Sequence, residues 1–377
     1  MKSGCKLWVL STLGILINAI YLSFAQAEVL PPGWKTECVG YYQLSLPAEV
    51  EVALLDMNDK GERTEYRFPD GREAYSRWFE GAFPVTTPQP LRIFEKKISA
   101  AEKNMMEFKK ELLAEGKPNT ANRIKFHSDL MPETFRLDWG GGASLYMQHG
   151  GRIYDYRIEN PFPRHTKDVA PPPTTAEETK KLNELVARFL KRFRARALFE
   201  IPPESGWCIP YGFIAKEKTG HQSEYSAVAF RLKANPDVEI YFMDQDASRP
   251  PSGLTEKDVA KKELQLFWGN NYPAKELKLE GGYDGGFRAV NMAGLGGMAT
   301  LVEITREYDA VDYGYTAYVK GNHVAEQDMH NLMLYVIRTA AHTRGTPMSK
   351  KDFIKLAEQI AASVKRRVPE QPKNSVK

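Results

Sequence analysis

Three stretches of this 377-residue chain carry residue types that do chemistry elsewhere, and each lacks something that chemistry needs. Ser144 stands in "GGASLY". A hydrolase nucleophile needs G-x-S-x-G, which sets the serine on a sharp strand-to-helix turn. Leucine and tyrosine fill the second half here, so the string reads as a hairpin strand. His323, Glu326 and His330 stand at i, i+3 and i+7, which share a face only on a helix. Protease-type zinc binding needs H-E-x-x-H, which the sequence lacks, and Gly321-Asn322 marks a turn just before. These histidines therefore read as loop residues. Gly294, Gly296 and Gly297 in "MAGLGGMATL" could cradle a phosphate between a strand and a helix. The strand-like "MATLVEITRE" follows instead, with no lysine after the glycines, so they read as a turn between strands. "KRFRAR", 191–196, alternates with apolar Phe193 and Ala195 and reads as a solvated helix end. No cysteine pair has metal-ligand spacing. The reading is of a chain with no catalytic residue, no cofactor and no metal.

The elements around these stretches set the organisation. "MKSGCK" and the apolar run Leu7 to Phe24, ending in "AQA", read as a signal peptide over 1–27, cleaved after Ala27. The expectation is export to the periplasm with no stable membrane insertion after cleavage. The remaining 350 residues suit two domains at about 150 residues each. Removing two lysines lowers the net charge from +4 to +2, too little to imply a nucleic-acid partner.

Unit one, 28–199, opens with strands at 36–46 and 49–56. It continues through a helix in "PLRIFEKKISAAEKNMMEFKKELLAEGK" and a hairpin turning at Gly150-Gly151. Its last helix carries the stripe Leu182, Leu185, Val186, Phe189, Leu190 and Phe193. A proline-bearing linker spans 200–206. Unit two, 207–368, has strands at 207–215, 223–232, 237–243, 286–291, 297–306 and 313–320, with a helix in "LTEKDVAKKELQLFW". It closes with a helix capped at Ser349 and Asp352, whose stripe is Phe353, Ile354, Leu356, Ile360 and Val364. Residues 369–377 read as a disordered tail. The fold class is α+β, with two domains of mainly antiparallel sheet and packed helices. Cys38 and Cys208 begin matching strands of the two units. A disulfide or two buried thiols would suit them. Because each opens a separate unit, they are expected to be unjoined.

Two loops combine aromatic and acidic residues, the raw material of protein interfaces. One holds Trp78 and Phe79, the other Tyr308, Asp309, Asp312 and Tyr313. These six residues are the candidate contacts with a protein partner.

"ECVGYYQLSLP" behind a signal peptide resembles the opening of a bacterial immunity family that protects against type VI secretion lipase effectors. "GWCIPYGFI" resembles that family's second cysteine strand, and "PDVEIYFM" and "VNMAGLGGMATL" resemble blocks that follow it. "YTAYVKGN" and "HNLMLYVIRT" resemble its closing strand pair. One departure is Met298-Ala299, where an acidic residue is expected after the glycine turn. The resemblance implies a periplasmic, non-enzymatic, two-domain protein whose partner is a cognate lipase or phospholipase effector, blocked by occlusion. An exported hydrolase or ligand-binding protein, with a site assembled from scattered residues, is the alternative.

Overall fold

The computed structural model describes residues 31–55, 66–74, 85–88, 91–131, 134–139, 142–159, 175–216, 225–247, 253–272, 276–280, 286–306, 310–322 and 329–367. The strand Asn331–Arg338 shows how the larger sheet is built. It has no polar alternation because both its faces are covered. Leu332, Leu334 and Val336 enter one apolar cluster, while Met333, Tyr335 and Ile337 enter another. Around it lies an eight-stranded sheet. Its order is Leu277–Leu279, Leu295–Thr305, Val311–Val319, Asn331–Arg338, Val238–Gln245, Tyr225–Leu232 and Val50–Val52. Phe287–Met292 pairs with Leu295–Thr305 as well, and all these pairings are antiparallel.

Two helices cover this sheet. Helix Glu256–Asn271 starts at a capping box between Thr255 and Asp258, which satisfies two end N–H groups. It buries Val259, Leu264, Phe267 and Trp268 against one face. The Trp268 indole lies where a Cβ on Gly314 would come within 2.6 Å, and its Nε1 donates to Thr300 at 2.8 Å. Helix Lys350–Ser363 starts where Ser349 Oγ accepts from Asp352 N at 3.1 Å, as its sequence predicts. Phe353, Leu356 and Ile360 of its expected stripe are buried on the other face, with Val364 just beyond its end.

The first half contributes a five-stranded antiparallel sheet. Its order is Val85–Pro88, Arg152–Glu159, Gly142–His149, Thr134–Trp139 and Ile124–Met131. Helix Thr175–Arg192 lays Leu182, Val186 and Phe189 into the cluster that holds Ala143, Leu145 and Met147. Helix Leu91–Ala114 packs Ile98 and Met105 against Phe135, Leu137 and Ile153 on the opposite face. Ser144 lies within the strand Gly142–His149, as read. The pair Ile124–Met131 and Thr134–Trp139 has no counterpart among the predicted strands.

Between the sheets, two stretches read as single strands fold back as hairpins. Residues 36–46 are Trp34–Val39 paired with Tyr42–Pro47, turning at Gly40-Tyr41. Residues 207–215 are Gly206–Ile209 paired with Gly212–Ala215, turning at Pro210-Tyr211. The two hairpins lie side by side through a bridge between Gly40 and Cys208. Only glycine suits position 40, where φ is +59° and a Cβ would fall 1.9 Å from Asp244 Oδ2. This arrangement corrects the expectation for the cysteines: Cys38 and Cys208 form a disulfide, their Cα atoms 5.7 Å apart. Their positions in the two hairpins do match, but the hairpins touch instead of lying in distant domains.

Early strands also enter the late sheets. Val50–Val52 forms one edge of the eight-stranded sheet, and Tyr42–Pro47 pairs with Lys365–Arg366 near the end of the described chain.

The disulfide closes a loop of 170 residues, so its loss frees much of the unfolded chain. The double variant Cys38→Ala/Cys208→Ala is expected to lose about 2–5 kcal/mol of unfolding free energy in urea titration. An unchanged midpoint would contradict a stabilising bond.

Candidate interaction surface

Arg196 organises the junction between the sheets. The sequence reading places it on a solvated helix end, but only 6% of it is exposed. The helix stops at Arg192, and Phe193–Ala195 continues as a strand paired with Gly212–Ala215. That change of backbone turns Arg196 into the interior. Its Nε donates to Gly212 O at 3.0 Å. Nη1 donates to Ala197 O and Glu200 O, and Nη2 to Cys38 O and Ile209 O. The Glu37 carboxylate lies 2.5 Å from Nη2. Glu37 in turn accepts from the backbone N–H groups of Cys38 and Phe199. Burial pushes the Glu37 carboxyl above its ordinary range, against the pull of Arg196 and these donors.

The expected linker, 200–206, threads the same junction. Arg367 donates to Pro202 O at 2.8 Å, to Glu204 O at 2.7 Å, and to Gly206 O. Arg194 pairs with Glu200 and Glu204 on the outer side. The five-stranded sheet joins through Tyr154, whose hydroxyl donates to Tyr211 O at 2.8 Å; burial pushes that phenol up to about 12. On the other side, Asp244 accepts from Tyr41 N at 3.0 Å and pairs with His330 Nδ1. His330, read as a loop histidine, lies just before a central strand and is buried. His323 and Glu326 lie outside the described residues.

Of the six candidate contacts, Trp78, Phe79, Tyr308 and Asp309 also lie outside the described residues. Asp312 and Tyr313 belong to Val311–Val319. Asp312 is 1% exposed, and its carboxylate accepts from Arg306 Nε at 2.8 Å and Ala340 N at 2.6 Å. It therefore fixes the chain on either side of this sheet end. Tyr313 is half-buried, with Phe353 6.0 Å away and the Arg338 guanidinium 5.3 Å over its ring. Of the glycines in "GLGG", only Gly294 sits in the turn the sequence suggests; Gly296 and Gly297 lie inside the strand Leu295–Thr305, paired with Asn291 and Val290. Ala293-Gly294 turns between Phe287–Met292 and Leu295–Thr305, and no helix follows.

Sequence reasoning missed the Arg196–Glu37 pair and the Arg136–Asp138–His127 cluster of the five-stranded sheet. Arg196 and Glu37 meet only through tertiary packing, while Arg136 and Asp138 stand two apart on one strand and His127 joins them from the neighbouring strand.

The geometry is that of an antiparallel α+β scaffold tied by a buried ionic junction. Residues 200–369 match the family described as the Tle cognate immunity protein 4 C-terminal domain. That match spans the second part of the chain, from the segment 200–206 to just past the last described strand. The fold is similar to a chain of the Tle4–Tli4 complex, with TM-score 0.53, 16% identity, and coverage of 90% of this chain and 99% of that one. It is also similar to the apo immunity protein TplEi of the type VI secretion system from Pseudomonas aeruginosa, with TM-score 0.50, 16% identity, and coverage of 90% and 98%. No curated protein sequence matches the chain. Among the described residues no helix is long and apolar enough to cross a membrane.

Removing one member of a buried ion pair leaves the other charge uncompensated. Arg196→Met is expected to cost about 3–5 kcal/mol in denaturant titration. The double variant Glu37→Leu/Arg196→Met should recover only part of this, because the five carbonyls still lose their donor. Full recovery would mean that the carbonyl contacts contribute nothing.

Proposed function

We propose that this protein is a periplasmic immunity protein that binds a type VI secretion phospholipase effector of the Tle4 kind and blocks its access to lipid. The observation that carries this reading is the family match over residues 200–369. The fold likeness to a chain of the Tle4–Tli4 complex extends the comparison over 90% of this chain. Export through residues 1–27 would place the protein where a delivered lipase acts. The protein acts by stoichiometry and surface, not by turnover.

The junction supports the same mechanism. Arg196, Arg367 and the disulfide tie the two hairpins, the segment 200–206 and the end of the described chain together before the partner arrives. A surface spread over both sheets then binds without the entropy cost of first fixing their orientation. An inhibitor that outlasts its toxin needs slow release, which favours an interface of about 2,000 Å² or more. The proposed contacts are Trp78, Phe79 and the stretch from Tyr308 to Tyr313. Within that stretch, Asp312 holds the backbone and Tyr313 offers its ring.

The test is titration of the cognate lipase with purified full-length protein on phospholipid vesicles. Lipase activity is expected to fall linearly to zero at one equivalent, with the two proteins co-eluting in size-exclusion chromatography. Ester or phospholipid turnover by the protein alone, abolished by a single serine or histidine substitution, would favour the hydrolase alternative.

A further inference from the structure

The five-stranded sheet ends at Ile124–Met131, where charged residues of neighbouring strands stand opposite one another. Lys125 stands opposite Asp138 and His127 opposite Arg136. Arg136 in turn stands opposite Leu145, and Asp138 opposite Ala143. Directly opposed residues share a face, so this set lies on the side covered by helix Thr175–Arg192. The helix meets Ala143, Leu145 and Met147 with an apolar stripe, but toward the sheet edge the face turns polar. An open groove runs there, lined by Lys125, Ala176, Thr179, Lys180, Asn183 and Glu184. The helical residues among these recur three or four apart and form one side of the helix.

A fully buried charge lies beneath the groove. Arg136 is 0% exposed, with Nε 2.7 Å from Asp138 Oδ1 and Nη2 3.1 Å from His127 Nε2. Its Nη1 donates to Asn183 Oδ1 at 2.7 Å. That bond sets the amide: the oxygen faces Arg136, and the two N–H donors of Nδ2 point away from it. Lys125 and Lys180 have no carboxylate within ion-pair distance among the described residues. The nearby acids are engaged, Glu184 with Lys181 at 3.7 Å and Glu178 with Arg123 at 3.4 Å. The groove therefore presents two ammonium groups outside any ion pair among the described residues, one carboxylate, Glu184, shared with Lys181, and an oriented amide. Beside it, Ile124–Met131 pairs on one side only among the described strands, leaving a line of backbone donors and acceptors.

We propose that this edge and groove form a docking surface for an extended, acidic segment of the effector. The segment adds to Ile124–Met131 through main-chain hydrogen bonds, the mode by which open sheet edges capture peptides. Its carboxylate meets Lys125, Lys180 and the Asn183 amide. The proposal rests on the immunity reading above, since it names where the same partner binds.

The test uses the full chain and the purified cognate lipase. Calorimetry compares the wild type with Lys125→Glu/Lys180→Glu and with Asn183→Leu, and hydrogen exchange follows residues 124–131 in the wild type with and without lipase. The expected result is at least tenfold weaker binding for the charge-reversed variant and a smaller loss for Asn183→Leu. Slowed exchange over 124–131 in the complex is also expected. The exchange measurement needs no variant, so it stands even if a substitution impairs folding. Wild-type binding with both variants within twofold, or with exchange over 124–131 unchanged, would overturn the groove and leave the immunity reading intact. Equal protection of 124–131 without lipase would mean that the chain or a second copy already covers the edge, and would also overturn it. No wild-type binding would overturn both readings.

Discussion

The Arg196 guanidinium is the point on which the architecture turns. Five carbonyl oxygens, from Cys38, Ala197, Glu200, Ile209 and Gly212, converge on it, and Glu37 balances its charge. These acceptors come from three separate stretches of chain. An arginine can do this because its fork is planar, always charged and carries five donors. A lysine would satisfy fewer carbonyls from one point. Burying the pair is costly, and such pairs are weak evidence for stability on their own. Here the guanidinium also fixes which backbone segments lie together, and the disulfide beside it makes one of those neighbours covalent.

The rest of the fold is arranged around that junction. One apolar cluster runs from Leu145 and Phe189, through Ile209 and Tyr42, to Val336 and Phe353. It joins the five-stranded sheet to the eight-stranded sheet without a break. The early hairpin donates Val50–Val52 to the late sheet, and the last described strand returns to the early hairpin. Chain order and spatial order therefore cross at the middle of the molecule.

The long helices and most strands of the larger sheet were legible because their signals are local, whereas Asn331–Arg338, apolar on both faces, was marked only by the family resemblance. The stripes at Leu182–Phe189 and Phe353–Ile360 follow helical spacing, and Ser349 caps its helix as its type implies. The hairpins were not legible in the same way. The turn at Gly40-Tyr41 carries an aromatic where a second glycine or an asparagine would have marked it. Tyr211 takes φ of +59° with no glycine to announce it. Nothing nearby separates buried Arg196 from Arg194, which is over a third exposed; the difference comes from strands far along the chain. The cysteines show the same limit. Their equivalence was readable from "ECVGYY" and "GWCIPY", but the side-by-side packing that joins them was not. Of the six expected contact residues, Asp312 is buried against Arg306, because its type suits an internal ion pair as well as an interface.

The central claim is that the junction makes both sheets one cooperative body. Differential scanning calorimetry of the oxidised full-length protein tests it most directly. A single transition, with equal van't Hoff and calorimetric enthalpies, is the predicted result. Two resolved transitions, with the five-stranded sheet melting apart from the eight-stranded sheet, would contradict it.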